Sequence, residues 1–342
     1  MRPHPIQLPR DTHPHDTIIE WWYFNGHLTD ADGRRYSFMD CLFRADVARV
    51  AIPYVKNFLG RSTSAEFVIF AHASLTDLNH KKNYKDIQNI SLSSRDSFTH
   101  PLFCVRYTDP IARAKGQYEI AETKTGTFHV KTDRIDLVLE SKKRPMLEGG
   151  KGFVSVSGRE SFYYSLTDLA ASGTIRVGKK WIPVSGKSWM DHQWANTPYA
   201  KDRWTWFSIQ LDDGTDVMCI EYDNGKEKSY VVDVLDARGK PADYRRATFT
   251  AGKTLWKSKT TGVAYPLVWT ITVPEKKLTL KTSAIMRDGE MIFGAINYWE
   301  GPIAVAGTMG KKKVKGVGFM ELAGYPSHYG TLSRIEGFFR QP

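Results

Sequence analysis

Ionisable side chains lie between large aromatic residues in two short segments of this chain. The segments are 189–194 (WMDHQW) and 20–23 (EWWY). Aromatic side chains bury large areas, so a carboxylate or imidazole among them loses solvation and its pKa shifts. Burial of polar groups costs stability unless they pair or perform a function. The two segments therefore predict a lipophilic pocket that contains a few poised polar groups.

The first segment supplies the two strongest candidates for proton transfer. Asp191 beside a tryptophan can have a raised pKa and serve as a general acid. His192 can donate or accept a proton near neutral pH. We predict that these two residues handle the proton and that Trp22, Trp189 and Trp194 line the pocket. On an extended strand Asp191 and His192 would point to opposite sides. The alternative is that Asp191 accepts indole or backbone hydrogen bonds and only stabilises the structure.

Four further residues are candidates for the same pocket. Glu20 could pair with His192 or act as a second acid, or it could close a barrel end through a salt bridge. Glu221 is a candidate acid on an otherwise apolar strand face, with a position at a solvated rim as the alternative. Tyr222 is predicted to contact substrate. His72 is a further substrate contact, with a buried structural histidine as the alternative.

The sequence favours neither a metal centre nor a cofactor. His13 and His15 could ligate a metal, but exposed histidines in a proline-rich strap are the expected interpretation. A metal-dependent hydrolase would need His72, His192 and a carboxylate within mutual reach. Walker, dinucleotide-binding, HExxH and GxSxG motifs do not occur. We therefore expect neither metal nor cofactor, and a hydrophobic small molecule as the ligand.

Composition limits the other partners and the compartment. The net charge is +11, but the basic runs are short and adjoin turn residues, which indicates hairpin tips rather than a nucleic-acid surface. No apolar run is long enough to span a membrane, and residues 1–5 (MRPHP) lack the apolar core of a signal peptide. Three widely spaced cysteines favour a reducing compartment, so we expect a cytoplasmic location. The oligomeric state is not indicated.

Alternating apolar and polar residues predict an all-β protein. The segments 22–41 and 204–222 each read as strand, Asp-Gly turn and strand, about half a chain apart, which predicts two related domains. We expect two antiparallel β-barrels packed side by side, in residues 1–185 and 186–342, with a short link inside the glycine- and proline-rich stretch 158–200. Short helices are expected only at 46–60, as a possible lid, and at 166–171.

Several motifs in combination resemble the AttH-like / carotenoid 1,2-hydratase family. They are 13–15 (HPH), 20–28 (EWWYFNGHL), 70–72 (FAH), 163–165 (YYS), 189–194 (WMDHQW), 298–301 (YWEG) and 318–325 (GFMELAGY). The resemblance implies two lipocalin-like domains and hydration or cyclisation of isoprenoid or polyene molecules without a cofactor. His192 and Trp194 match the family's His-x-Trp. Its Tyr-x-Asp is absent, because 219–223 reads CIEYD, where Glu221 or Asp223 would have to substitute.

The sequence thus predicts a cofactor-independent hydratase or cyclase that acts on a lipophilic polyene or isoprenoid-type molecule. Protonation of a double bond gives a tertiary cation, aromatic faces stabilise it, and a base activates the captured water. The alternative is a non-catalytic lipocalin-like carrier of a hydrophobic molecule. A carrier needs no carboxylate facing an enclosed cavity, so the placement of the acids discriminates between the two.

Overall fold

The computed structural model describes residues 2–46, 48–49, 66–93, 98, 101–107, 118–156, 158–196, 203–293 and 296–325. Most of the predicted lid at 46–60 lies outside these residues. In the described part of the chain the only helices are single 3-10 turns, at Arg10–Thr12, Glu148–Gly150 and Pro274–Lys276. None of them approaches the length and apolar character that a membrane-crossing helix requires. The all-β prediction is confirmed.

The first sheet contains twelve strands, which follow one another almost in chain order. They are β1 (Ile19–Thr29), β2 (Arg35–Asp46), β3 (Phe67–Asp77), β4 (Lys82–Ser93), β5 (Cys104–Tyr107), β6 (Tyr118–Lys124), β7 (Thr127–Lys131), β8 (Ile135–Ser141), β9 (Met146–Leu147), β10 (Phe153–Val156), β11 (Arg159–Val177) and β12 (Lys180–Ala195). Their order across the sheet is β4-β3-β2-β1-β12-β11-β8-β7-β6-β5, with β9 and β10 paired to β11. The pairings along this order, and that of β9 with β11, are antiparallel.

The second sheet contains ten strands. They are β13 (Arg203–Leu211), β14 (Asp216–Asp223), β15 (Lys228–Leu235), β16 (Pro241–Tyr244), β17 (Thr248–Ala251), β20 (Val268–Val273), β21 (Leu278–Ala284), β22 (Glu290–Phe293), β23 (Ile296–Met309) and β24 (Lys312–Ala323). The order is β16-β15-β14-β13-β24-β23-β21-β20-β17, with β22 beside β23. A separate hairpin joins β18 (Leu255–Lys257) to β19 (Ala264–Pro266).

The two sheets repeat one plan, as the hairpin pattern predicted. In each sheet the first strand lies between the second strand and the last one: β1 between β2 and β12, and β13 between β14 and β24. Gly33 and Gly214 end the two predicted turns with φ of +77° and +82°, a conformation that glycine adopts without strain. The repeat therefore includes the sheet order as well as the sequence.

Each sheet surrounds its own apolar core. In the first sheet a single buried cluster receives side chains from one face of the sheet, along the strand order from β3 at one side to β5 at the other. The sheet therefore curves around this cluster. We call the face that contributes to the cluster the inner face of the first sheet and the opposite one its outer face. The second sheet has a comparable cluster built from the alternate residues of its strands. Alternation thus decides which side chains each core receives.

Residue contacts divide the chain into two compact units. One contains 1–155 and 159–198, and the other contains 156–158 and 199–342. The boundary expected at 185/186 falls inside β12, and residues 159–177 and 180–195 of the stretch expected to contain the link form β11 and β12 of the first sheet. Glycines in that stretch serve close strand packing: a Cβ on Gly186 would lie 2.0 Å from the carbonyl oxygen of His27.

Two smaller predictions have clear outcomes. The helix expected at 166–171 is wrong, because these residues continue β11, which shifts register between Leu166 and Leu169. The basic runs do lie at turns. Lys81 and Lys277 adopt φ of 51° and 52° in the turns before β4 and β21.

Candidate functional site

Strand β12 carries the candidate residues on both faces of the first sheet. Its register with β1 and β11 aligns Tyr164, His192 and Trp22 in one cross-strand row, and Ser165 and Asp191 in the next. His192 has stacking partners in the core cluster, so its row belongs to the inner face. Asp191 therefore points to the outer face. The predicted proton-handling pair is adjacent in sequence but divided between two environments.

On the inner face Glu20 is held by one arginine and two histidines. Its Oε1 lies 2.9 Å from His192 Nε2 and 2.7 Å from His15 Nδ1. Its Oε2 accepts hydrogen bonds from Arg44 Nη1 at 3.0 Å and from the backbone N–H of His15 at 3.0 Å. Glu20 and His192 are fully buried, whereas 19% of the His15 side chain is exposed. Glu20 therefore contacts His192 and also forms a salt bridge with Arg44.

These contacts fix the protonation of the inner-face groups. Burial opposes ionisation of Glu20, but the hydrogen bonds from His15 and His192 outweigh it and lower its pKa to about 2. Burial lowers the pKa of His192, so its imidazole is neutral and donates from Nε2 to the carboxylate. The Arg44 guanidinium supplies the compensating charge. Glu20 is consequently an ionised acceptor at physiological pH and has no proton to give.

The inner-face tryptophans pack against protein rings. Trp194 and His15 are parallel, with ring centroids 3.8 Å apart. Trp22 stacks on His192 at 4.7 Å and on Phe103 at 4.8 Å. These indole faces hold the two imidazoles in place. Trp22 and Trp194, which the sequence predicts as pocket walls, are thus seen to fix the orientation of the His192 and His15 rings.

The inner face also holds the described residues best placed to bind a metal. His15, Glu20 and His192 each offer one ligand atom, and these three atoms lie within 4.8 Å of one another. Two imidazoles and a carboxylate are suitable ligands for first-row divalent metal ions. Arg44 already compensates the charge of this carboxylate, and Oε1 already accepts from both imidazoles. Glu20, Arg44 and the two imidazoles therefore form a hydrogen-bonded ion-pair network among themselves. His13 does not join them, and its Nε2 lies 3.1 Å from the Pro101 carbonyl oxygen.

On the outer face Asp191 meets a different set of groups. Its Oδ2 accepts a hydrogen bond from Tyr163 Oη at 2.6 Å. Its Oδ1 accepts from Ser165 Oγ and from Trp189 Nε1, each at 2.6 Å. All three donors are neutral. Only 3% of Asp191 is exposed, so it is buried almost as completely as Glu20.

Burial dominates the electrostatics of Asp191. Desolvation raises its pKa to about 6, although the hydrogen bonds from Ser165, Tyr163 and Trp189 act in the opposite direction. With that pKa about a tenth of the molecules still carry the proton at pH 7. Asp191 is therefore a carboxylic acid that can donate a proton near neutrality, and its three donors are placed to stabilise the carboxylate that remains.

The other candidate on the outer face is His72. The register across β11, β12, β1, β2 and β3 places Ser165, Asp191, Tyr23, Cys41 and His72 in one row. Three strand spacings separate the backbones of Asp191 and His72, about 14 Å. Burial lowers the pKa of the His72 imidazole to about 3. It is a neutral group on the face of Asp191, and it lies on the opposite face from His192, so the set of ligands that a metal-dependent hydrolase would need does not form.

The last two predicted residues belong to the second unit. Glu221 alternates in phase with Cys219, which lies in the second core. Its side chain therefore points to the side of β14 that faces this core. Its Oε1 accepts a hydrogen bond from Lys228 Nζ at 2.9 Å. Tyr222 is buried and points to the opposite face of the strand. Glu221 is thus in phase with the apolar residues Val217 and Cys219, and its carboxylate has a cationic partner there.

Sequence reasoning missed several residues that the structure brings to these sites. Tyr163 and Ser165 could have been found, because they alternate on one side of an aromatic strand. His15 was assigned to an exposed strap, and nothing in the sequence paired Arg44 with Glu20. Glu148 has no recognisable sequence pattern, because it lies in a 3-10 turn, yet its Oε1 lies 2.6 Å from Ser165 Oγ.

Comparison with known proteins gives matches along most of the chain. The AttH-like family model matches residues 1–325. Dehydratase asqC of Emericella nidulans is 22% identical over 203 residues, which are 55% of this chain and 57% of the relative. Kievitone hydratase of Fusarium solani subsp. phaseoli is 23% identical over 206 residues, 55% of this chain and 56% of the relative. The chain thus spans a little over half the length of the curated relatives it matches.

Two solved structures share the fold over nearly the whole chain. The structure described as AttH (NE1406) from Nitrosomonas europaea has a TM-score of 0.77 and 24% identity, and covers 94% of this chain and 98% of its own. Kievitone hydratase from Nectria haematococca has a TM-score of 0.72 and 15% identity, with 93% of each chain covered. The family match and the shared fold agree with the sequence resemblance and with the repeated sheets. The chain belongs to the AttH-like family.

Proposed function

We propose that this protein is a cofactor-independent hydratase or dehydratase that acts on a double bond of a lipophilic, isoprenoid or polyene-type molecule, with Asp191 as the general acid. The observation that carries the proposal is the environment of Asp191: a buried carboxyl group surrounded by neutral hydrogen-bond donors, with its pKa raised to about 6. Two relatives named as a dehydratase and a hydratase support this class of reaction.

The proposed reaction proceeds through a carbocation. The acid form of Asp191 transfers its proton to one alkene carbon, the π electron pair forms the new C–H bond, and the other carbon becomes a tertiary cation. Water adds to this cation, and the proton that the water releases returns to the Asp191 carboxylate. Dehydration follows the same steps in reverse order. Cyclisation follows if a second double bond of the same molecule attacks the cation before water does.

Groups around Asp191 fit the charges that this reaction creates. Hydrogen bonds from Tyr163, Ser165 and Trp189 stabilise the carboxylate that forms when the proton leaves. The aromatic rings of Tyr163 and Trp189 lie next to the carboxyl group, where a ring face stabilises a nearby cation by about 0.5–2 kcal/mol. The proposed acid, Asp191, and the aromatic rings that would stabilise the cation thus lie together on the outer face.

The remaining predicted residues have supporting roles in this proposal. Glu20 and His192 are a positioning pair, because Glu20 is ionised and held by Arg44 while His192 lies on the same strand as Asp191. Trp22 and Trp194 orient the two imidazoles. As an alternative acid Glu221 would first have to lose the contact with Lys228 Nζ. His72 and Tyr222 stay proposed substrate contacts.

The test is hydration of an acyclic carotenoid and of a prenylated flavonoid in ¹⁸O-labelled water, followed by mass spectrometry. We expect the wild-type protein to add one labelled water to one of these classes, and Asp191→Asn to lower the rate about 10²–10⁴-fold, the usual contribution of a general acid. Asp32→Asn makes the same chemical change at an exposed turn and should leave the rate unchanged. Full turnover by Asp191→Asn would contradict the proposal.

The same experiment identifies a carrier. If tryptophan fluorescence shows that wild-type protein binds a compound, while no labelled product forms with either class, the carrier alternative is correct and the proposed reaction is wrong. Mass spectrometry of an organic extract of the purified protein would show which compound to add to the assay.

A further inference from the structure

A second buried carboxyl group lies one hydroxyl away from Asp191. Ser165 Oγ is 2.6 Å from Asp191 Oδ1 and also 2.6 Å from Glu148 Oε1. Glu148 and Ser165 are completely buried, and 3% of Asp191 is exposed. Both contacts have the short O···O distance that is typical of a hydrogen bond to a carboxyl group.

The number of protons available to these three groups decides whether both carboxyl groups can be ionised. A serine hydroxyl has one proton, so it can donate to one carboxylate only, and an ionised carboxylate has none to offer in return. If both carboxyl groups were ionised, one of the two 2.6 Å contacts would join two oxygens with no proton between them. Two negative charges would also be buried on either side of one hydroxyl. Both contacts are satisfied when one carboxyl group is protonated.

The backbone holds Glu148 in this position. Strand β9 pairs with β11, with Met146 opposite Ser165. The chain then turns through Gly149 and Gly150, whose φ angles of +70° and +79° favour glycine, and the N–H of Gly152 donates to the Glu148 carbonyl oxygen at 2.9 Å. The approach of Glu148 to Ser165 is therefore built into a paired strand and a tight turn.

We propose that Glu148 and Asp191 share a single proton through Ser165, which makes Glu148 a positioning residue of the acid. Such a pair titrates in two macroscopic steps that belong to both groups. Three side chains that are neutral near pH 7 adjoin Asp191: Tyr163 of β11 and Trp189 of β12 donate hydrogen bonds to it, and Tyr23 of β1 lies opposite it in the strand register. The raised pKa of Asp191 is in the direction that sharing requires.

The bridge also explains how Asp191 can be loaded with its proton away from bulk water. Glu148 Oε1–H passes its proton to Ser165 Oγ while the serine hydroxyl proton passes to Asp191 Oδ1. Asp191 is then the acid, Glu148 is the carboxylate, and the serine is unchanged. The use of this proton in catalysis rests on the proposed function, whereas the sharing itself does not.

Infrared difference spectroscopy of the full chain tests the sharing directly. The C=O stretch of a protonated carboxyl group is followed between pH 5 and 9, and the spectrum of each variant is subtracted from that of the wild type. We expect Glu148→Gln and Asp191→Asn each to remove the same upper titration step, at pH 6 or above. Ser165→Ala retains both carboxyl groups but removes two hydrogen bonds from the singly protonated pair and only one from the doubly ionised pair, so it should lower that step by about 1 pH unit.

The matched control is Ser161→Ala. Ser161 lies on the same face of β11 and is buried, and it accepts a hydrogen bond from Gln193 Nε2 at 2.9 Å. We expect its titration to match the wild type. An upper step that persists in Glu148→Gln, or that is unchanged in Ser165→Ala, would overturn the sharing. If Glu148→Gln does not fold, Ser165→Ala alone decides.

The outcomes separate the two proposals. If the upper step behaves as expected while Asp191→Asn retains full turnover, the shared proton exists and the proposed function is wrong. If Asp191→Asn loses turnover while Glu148→Gln keeps the upper step, the proposed function stands and the sharing is wrong.

Discussion

The two faces of the first sheet give two carboxyl groups opposite properties. Glu20 and Asp191 lie on neighbouring strands, and both are almost fully excluded from solvent. Glu20 is hydrogen-bonded to imidazoles and a guanidinium and has a pKa of about 2, whereas Asp191 has neutral donors and a pKa of about 6. Since burial is similar, the hydrogen-bond partners decide which group keeps its proton: imidazoles and a guanidinium for Glu20, hydroxyl groups and an indole for Asp191. Carboxyl groups whose environments separate their pKa values in this way take different chemical roles.

Removal of the cation from the inner face should have the largest effect on stability. Arg44→Met leaves the buried Glu20 carboxylate without its guanidinium, so we expect a loss of about 3–5 kcal/mol in the free energy of unfolding, measured with urea. Arg34→Met is the control, because Arg34 is 53% exposed and pairs with Asp32 at the surface. Exposed pairs contribute about 0–1 kcal/mol. Equal losses in the two variants would show that Glu20 does not depend on Arg44.

Removal of one neutral donor from the outer face should have a smaller effect. Trp189→Phe deletes the N–H that donates to Asp191 Oδ1 and leaves an aromatic ring in place. Because this bond favours the carboxylate, its loss should raise the pKa of Asp191 by about 1 unit. The alkaline limb of the pH–rate profile would then move to higher pH by the same amount.

The inner face supplies the control for this variant. Trp194→Phe deletes an indole that stacks on His15, away from Asp191. We expect its alkaline limb to coincide with that of the wild type. A shift with Trp194→Phe but none with Trp189→Phe would place the essential acid on the inner face instead.

Local pattern was sufficient to predict most of this arrangement. Period-two alternation identified the strands, the repeated hairpin and the separation of Asp191 from His192. The aromatic neighbours of Asp191 indicated a raised pKa. These features follow from residues that are close in sequence, where the geometry of one strand or one hairpin determines which side chains share a face.

The partners could not be predicted, because they depend on pairing between distant strands. Arg44 reaches Glu20 through the β1–β2 register, and Glu148 reaches Ser165 because β9 adds to β11. A carboxyl group next to a tryptophan has the same local sequence whether its partner is a guanidinium or a hydroxyl. The sequence therefore indicated which carboxyl groups are buried among aromatic residues and left their protonation undetermined.

The difference between the faces predicts opposite pH dependences of stability. The pKa of Glu20 is lowered from 4.5 to about 2, so its stabilising contribution is present above pH 4.5 and is lost as the pH falls towards 2. The pKa of Asp191 is raised from 3.8 to about 6, so its contribution is fully present below pH 3.8 and is lost as the pH rises through 6.

The most direct test is the free energy of unfolding of the wild type, Glu20→Gln and Asp191→Asn between pH 3 and 8, measured by urea titration with tryptophan fluorescence. We expect the stability advantage of the wild type over Glu20→Gln to shrink as the pH falls below 4.5. Relative to Asp191→Asn, the wild type should lose about 2–3 kcal/mol as the pH rises from 4 to 7. Differences that slope in the same direction for both variants, or that do not vary with pH, would contradict the assignment of Asp191 as the acid and Glu20 as the ionised partner.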